Sequence, residues 1–160
     1  MEVNGWFRTV YALRFATTLA YLLLEFPFRR APKWTSALGA SLRIAFVVLA
    51  SGFISIALFP EFRVSLLHLT LIGGFALITL TVATRVVFGH SGNLEKLKER
   101  NRWLLIAVAV MLLAMATRIS GDFWPRIMLS HYSYGAIFWA AGVVLWSFFV
   151  LPKVLQAEDE

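Results

Sequence analysis

The chain contains no cysteine. That absence excludes structural disulfides, thiolate zinc sites, iron–sulfur clusters, covalently attached c-type haem and cysteine nucleophiles. Charge is scarce as well. Only 15% of the 160 residues are Asp, Glu, Lys or Arg, where a soluble domain carries about 25%. No Gly-x-Gly-x-x-Gly or Gly-x-x-x-x-Gly-Lys phosphate loop occurs. No Gly-x-Ser-x-Gly elbow occurs either, and no close carboxylate pair lies within the apolar runs. These absences remove the common soluble-enzyme templates. No internal repeat, linker or low-complexity stretch divides the chain, so residues 1–160 read as one domain.

What is abundant is apolar surface. Apolar residues make up 59% of the chain, and the mean hydropathy is +0.74. The sequence therefore predicts an all-α, polytopic transmembrane helical bundle. A crossing needs about 20 predominantly apolar residues. Five segments qualify or come close: residues 9–28, 42–60, 64–88, 103–119 and 133–151. The first is the weakest, because it holds Arg14 and Glu25, which could snorkel or pair with neighbours. With that segment lying in the interface, four spans remain. Pro27, Pro32, Pro60, Pro125 and Pro152 fall at or between segment ends, where proline costs the backbone least. Trp6, Trp34, Trp103 and Trp124 lie near the boundaries, as an aromatic belt requires.

The net charge is +6. The basic residues alternate with apolar runs, so lipid headgroups account for them and nucleic acid is not expected. Five spans place Arg8, Arg63, Arg118 and Arg126 on the side of the N-terminus. Arg29, Arg30, Lys33, Arg43, Lys96, Lys98, Arg100, Arg102 and Lys153 fall on the other. The excess predicts that the second side is cytoplasmic, with the N-terminus outside and the C-terminus inside. No basic, cleavable leader is expected from Met-Glu-Val-Asn-Gly-Trp. The polar stretch from Ser91 to Arg102 predicts a short solvated helix extension.

Three histidines and one arginine carry the remaining chemistry. On a straight α-helix, at about 100° and 1.5 Å per residue, His68, Thr79 and His90 share one face of the third segment. The two histidines would then stand about 33 Å apart, one at each end, too far to share a metal ion. A second face carries Thr70, Gly74, Thr81 and Arg85 and should meet other helices. Gly89 is positioned to end the helix, with His90 in the following turn. His131 opens the fifth segment on the same side as His68, so the two could coordinate across helices. Imidazole suits b-type haem and copper, while a structural histidine bonded to backbone or hydroxyl is the plainer reading. Arg85 could hold an anion such as a haem propionate or snorkel to headgroups. Met111 and Met115 read as packing, as do Gly135 and Gly142.

The third segment resembles the NnrS family, polytopic bacterial membrane proteins described as containing haem and copper and linked to the nitric oxide response. The residues that carry the resemblance are His68, Gly73, Thr84-Arg85 and Gly89-His90-Ser91-Gly92. Ser91 replaces a threonine of the family pattern, and Asn93 an arginine. About 120 residues from Arg30 onward are similar to the family's C-terminal region. The resemblance implies a protein of the bacterial inner membrane that binds haem b and/or copper through His68, His90 and His131, with Arg85 at the cofactor, in nitric oxide response or electron transfer. Family members are generally more than twice as long, and their first half carries a Trp-His-x-His-Glu-Met type motif that is not found here. That departure implies one bound haem, a partner subunit, or a second role. The second role is a cofactor-free accessory subunit of a larger respiratory or metallo-oxidase complex in the bilayer. No residue by itself marks the chain as an enzyme.

Overall fold

A computed structural model describes residues 2–24, 36–93, 95–98 and 101–155. Several residues named above, among them Glu25, Pro27, Arg29, Arg30, Pro32, Lys33, Trp34 and Arg100, lie outside the described residues. The described chain forms five long helices: α1 (Glu2–Leu24), α2 (Ala37–Leu58), α3 (Pro60–His90), α4 (Arg102–Phe123) and α5 (Pro125–Val154). Four of them, α2 to α5, are long and apolar enough to cross a membrane. The chain is a multi-pass membrane protein built as an all-α bundle.

Local chemistry sets the helix ends. The Ser36 hydroxyl accepts from the Gly39 amide at 3.1 Å and opens α2. The Asn101 side chain does the same for α4 through the Leu104 amide at 3.2 Å. Both satisfy a backbone donor that the helix start leaves without a partner. The end of α3 differs from the expectation for Gly89. The helix runs through Gly89 and His90, and it is Gly92 that takes the left-handed conformation, with φ 65°. The Asn93 amide donates to the Phe88 carbonyl and the Gly92 amide to the Gly89 carbonyl. That pair of bonds is the Schellman closure. Beyond it, a single helical turn (Glu95–Lys98) tucks Leu97 under the bundle. Pro152 lies inside the last turn of α5 rather than beyond it. The fourth helix continues beyond the expected 103–119 segment, to Phe123.

The third helix is not straight. Leu69–Ala76 is π-helical, between α-helical Arg63–His68 and Leu77–His90. A π-turn closes i→i+5 bonds, so each residue winds through a smaller angle than in an α-helix. The face shared by His68, Thr79 and His90 on an ideal helix is therefore not preserved. The second face is partly preserved: Thr70, Gly74 and Thr81 are buried, while Arg85 is exposed.

Packing follows small residues, since lipid tails give apolar helices little reason to associate and close contact must supply it. A Cβ on Gly74 would lie 2.9 Å from Leu49 Cβ and 3.1 Å from Leu49 Cα, so α2 and α3 touch backbone to backbone there. A Cβ on Gly142 would stand 2.7 Å from Met111 Cγ. A Cβ on Gly73 would meet the Met115 sulfur at 2.5 Å. Both methionines thus fill notches over glycines, as a packing role requires. One core gathers Phe88, Leu97, Leu104, Met111 and Val150 toward the His90 end. A second joins Tyr11, Ile56, Ala57 and Leu66 toward the opposite end. That second core seats α1 on α2, so α1 and α3 run parallel on either side of it. The membrane belt between α3 and α5 is tied by one long-range bond, Trp146 Nε1 donating to Thr84 Oγ1 at 2.8 Å.

Candidate functional site

The end of the bundle where α3 begins holds His68, His131 and a set of polar contacts between helices. Arg63 opens the α-helical part of α3, with its guanidinium 4.4 Å above the Phe7 ring of α1. Phe62 and Phe123 meet at 4.6 Å between ring centres. Ser65, buried, donates to the Ile119 carbonyl of α4 at 3.1 Å. These contacts bring the start of α3 against the end of α4.

His68 lies one turn beyond Ser65 and is half-buried. Its Nδ1 sits 3.1 Å from the Val64 carbonyl and 3.1 Å from the Ser65 carbonyl. A carbonyl oxygen only accepts, so Nδ1 carries the proton. Its Nε2 makes no hydrogen bond among the described residues. His131 reaches the same state by a different route. Its Nδ1 lies 3.0 Å from Ser120 Oγ. The Ser120 hydroxyl already gives its proton to the Thr117 carbonyl at 2.9 Å. It therefore accepts from His131, and the His131 Nε2 is again the bare nitrogen. In both, the hydrogen bond at Nδ1 fixes the orientation of the ring.

His131 is helical, on the second turn of α5, and not part of a connecting loop. The residues between the fourth and fifth apolar segments, 120–132, form the last turn of α4, a corner at Trp124 and the first turns of α5. The corner lets the helices approach closely: a Cβ on Gly121 would stand 3.2 Å from His131 Cβ and 3.0 Å from Tyr132 Cε1.

Next to His131 is a network that spacing alone did not single out. Arg118 pairs with Asp122 at 3.3 Å, one turn apart on α4. Tyr132 donates its hydroxyl proton to the same carboxylate oxygen. The Arg118 guanidinium lies 3.5 Å from the centre of the Tyr132 ring, a cation–π contact. Asp122 is thus held by two donors, and the aromatic ring links the corner to α5. The i, i+4 spacing of Arg118 and Asp122 was a usable signal. Nothing in the sequence pairs either residue with Tyr132.

The other candidates stand at the opposite end. Arg85 is exposed and makes no hydrogen bond or ion pair among the described residues. His90 is exposed and is the last residue of α3. The structure does not bring either of them to His68 or His131. Among the described residues, no group of three or more His, Cys, Asp or Glu side chains is placed to hold a metal ion. What the chain offers is two histidines, on α3 and α5, joined through Ser65, Ile119 and Ser120 of two packed helices.

No curated protein and no solved structure matches this chain. The family model described as NnrS protein matches residues 2–157. The match takes in α1 and α2 as well as the region from Arg30 onward that carried the motif resemblance. A match over nearly the whole chain, on a multi-pass helical bundle with the His68-to-Gly92 pattern along α3, places this protein in the NnrS family.

Proposed function

We propose that the chain binds haem b and/or copper with His68 and His131 as its principal ligands, and serves in the nitric oxide response or in electron transfer. The observation that carries this reading is the bare Nε2 of both histidines, each fixed by a hydrogen bond at Nδ1. Two imidazoles from different helices are donors of the type that would hold a b-type haem or a copper ion. When bound, such a group would supply a redox centre and a place for a small ligand such as nitric oxide. The chain's own residues would orient it. Ser120 fixes the His131 ring, the Val64 and Ser65 carbonyls fix His68, and the Arg118–Asp122–Tyr132 network holds the corner that carries His131. His90 and Arg85 would form a separate site at the other membrane face, with Arg85 as the anion partner.

The excess of basic residues on the His90 side supports an orientation with that face cytoplasmic and the N-terminus outside, in the bacterial inner membrane. The lack of a third ligand among the described residues favours a site completed by another subunit of a redox complex. The same fact supports a second reading, in which the chain is a cofactor-free accessory subunit.

A dithionite-reduced minus oxidised visible spectrum, with metal analysis on the same detergent-purified sample, separates the two. The expected result is a stoichiometric b-type spectrum or bound copper, lost in both His68→Ala and His131→Ala. A preparation that stays colourless and metal-free after reconstitution with haem and copper would overturn the cofactor reading and leave the accessory one.

A further inference from the structure

Helix α1 packs mainly on α2 and meets the first turns of α3, where Arg63 lies over Phe7 and Tyr11 joins Leu66, and from there α1 and α3 run parallel. A furrow of about 690 Å³ remains between them, floored by Phe53 of α2. One wall is the π-helical stretch of α3, which contributes Leu71 and Phe75. The other is a face of α1 with Arg14, Thr17 and Thr18 at i, i+3 and i+4. Its volume is that of a small-molecule site, but it opens sideways, toward lipid.

Of the four polar side chains that line this furrow, Thr70 is hydrogen-bonded, and Arg14, Thr17 and Thr18 have no hydrogen-bond partner among the described residues. Arg14 is exposed, lies 5.0 Å above the Tyr11 ring and has no carboxylate partner among the described residues. Thr9, Thr70, Thr79, Thr81, Thr84 and Thr117 each donate to a carbonyl of their own helix. Of the described threonines, only Thr17 and Thr18 make no such bond, and both line the furrow. A guanidinium beside apolar walls and without a carboxylate partner among the described residues is costly. Two free hydroxyls beside it add donors that hydrocarbon cannot satisfy.

The order of these groups along the membrane normal identifies the occupant. Trp6, exposed, marks the interface. The Arg14 Cα lies about 12 Å deeper along the helix. Its side chain turns back over Tyr11, toward the headgroups. Thr17 and Thr18 follow about one turn deeper on the α1 wall, and Leu71 and Phe75 face them from the α3 wall. Along α1 the furrow presents a cation and then hydroxyl donors, and the facing wall of α3 is mainly apolar. A phospholipid presents an anionic phosphate, ester carbonyl acceptors and then acyl chains. We infer that the furrow between α1 and α3 is a binding site for one anionic diacyl phospholipid. Arg14 meets its phosphate, and Thr17 and Thr18 donate to its ester carbonyls.

The full chain, purified in mild detergent and stripped of lipid, is titrated with phosphatidylglycerol and read by native mass spectrometry. Wild type is expected to retain one lipid. Arg14→Gln should lower the bound fraction by about fivefold, the effect of one basic residue on an anionic headgroup. Arg14→Lys should restore most of it, while Arg8→Gln and Arg126→Gln leave it unchanged. In a second arm, wild type should prefer the diester lipid over its diether analogue, and Thr17→Val with Thr18→Val should abolish that preference. Equal retention by Arg14→Gln and wild type would overturn the site, as would an equal drop in all three glutamine variants. Displacement of the lipid by a co-purifying membrane subunit would overturn it too. Should Arg14→Gln fail to fold, the diester-versus-diether comparison decides alone.

Discussion

The contact between α2 and α3 at Gly74 makes a quantitative prediction. Gly74→Ala adds one methyl group, and the nearest atoms to it are Leu49 Cδ1 at 2.7 Å, Leu49 Cβ at 2.9 Å and Leu49 Cα at 3.1 Å. Carbon atoms rest at about 3.5–4.0 Å. A rotamer change of Leu49 can clear Cδ1, but Cβ and Cα move only with the backbone. The two helices must separate by a few tenths of an ångström or more along a contact already buried. Overpacking of this kind costs about 1–3 kcal/mol. Alanine is also the better helix former, by up to about 1 kcal/mol. Gly5→Ala and Gly89→Ala remove that second effect from the comparison. Both positions are helical, and a Cβ at either meets nothing within 4 Å. Relative to these two controls, Gly74→Ala should be less stable by the steric cost alone. For a chain of this size, each kcal/mol corresponds to about 2–4 °C in Tm, so the gap should be several degrees. Thermal unfolding in a single detergent, followed by circular dichroism or by a dye-free fluorescence ratio, measures it. If Gly74→Ala melts with or above the controls, the backbone contact between α2 and α3 is not as close as described, and the π-helical stretch does not serve to seat Gly74 against Leu49.

Three further predictions concern polar contacts and orientation. Trp146→Phe and Thr84→Val each remove the bond that joins α5 to α3. Each should cost about 0.5–1.5 kcal/mol, and the double variant should cost less than the sum, as a thermodynamic cycle of unfolding free energies would register. Asp122→Ala removes the acceptor of both the Tyr132 hydroxyl and the Arg118 guanidinium, and a lower melting temperature than wild type is expected. Asp122→Asn, which still accepts from Tyr132, should recover part of the loss, and equal losses in the two variants would count against the network. Because the chain has no cysteine, single cysteines report topology without background. Glu61→Cys should react with an impermeant maleimide in intact cells, and Lys96→Cys only after permeabilisation; the reverse pattern would invert the proposed orientation.

Much of the architecture was legible in composition. Long charge-free runs have few outcomes, because a backbone in hydrocarbon must satisfy its own hydrogen bonds and helices do so locally. Hence the all-α bundle and the positions of α2 to α5. The weakness of the first segment was equally visible in Arg14 and Glu25. The same residue-level reading identified His68 and His131 as lying at one end, since topology alone places them there. It also assigned Met111 and Met115 to packing, and each sits over a glycine of a neighbouring helix.

What only the tertiary structure decided has a common cause. Face assignments on α3 assumed a constant 100° per residue, and the π-helical stretch breaks that assumption. Its geometry is favoured by Gly73 and Gly74 pressing into α2, an event between helices that no local pattern encodes. The closure at Gly92 instead of Gly89 depends on where the chain turns back toward Leu97 and the bundle. The state of each histidine was also out of reach. Residue identity says that an imidazole is present, but the proton goes to whichever nitrogen meets an acceptor. Those acceptors, the Val64 and Ser65 carbonyls for His68 and the Ser120 hydroxyl for His131, are set by helix winding in one case and by the α4–α5 corner in the other. Hydropathy determines which segments enter the membrane, because that free energy sums over single residues. The partners inside it are set by close contact between helices, which depends on pairs of residues far apart in the chain.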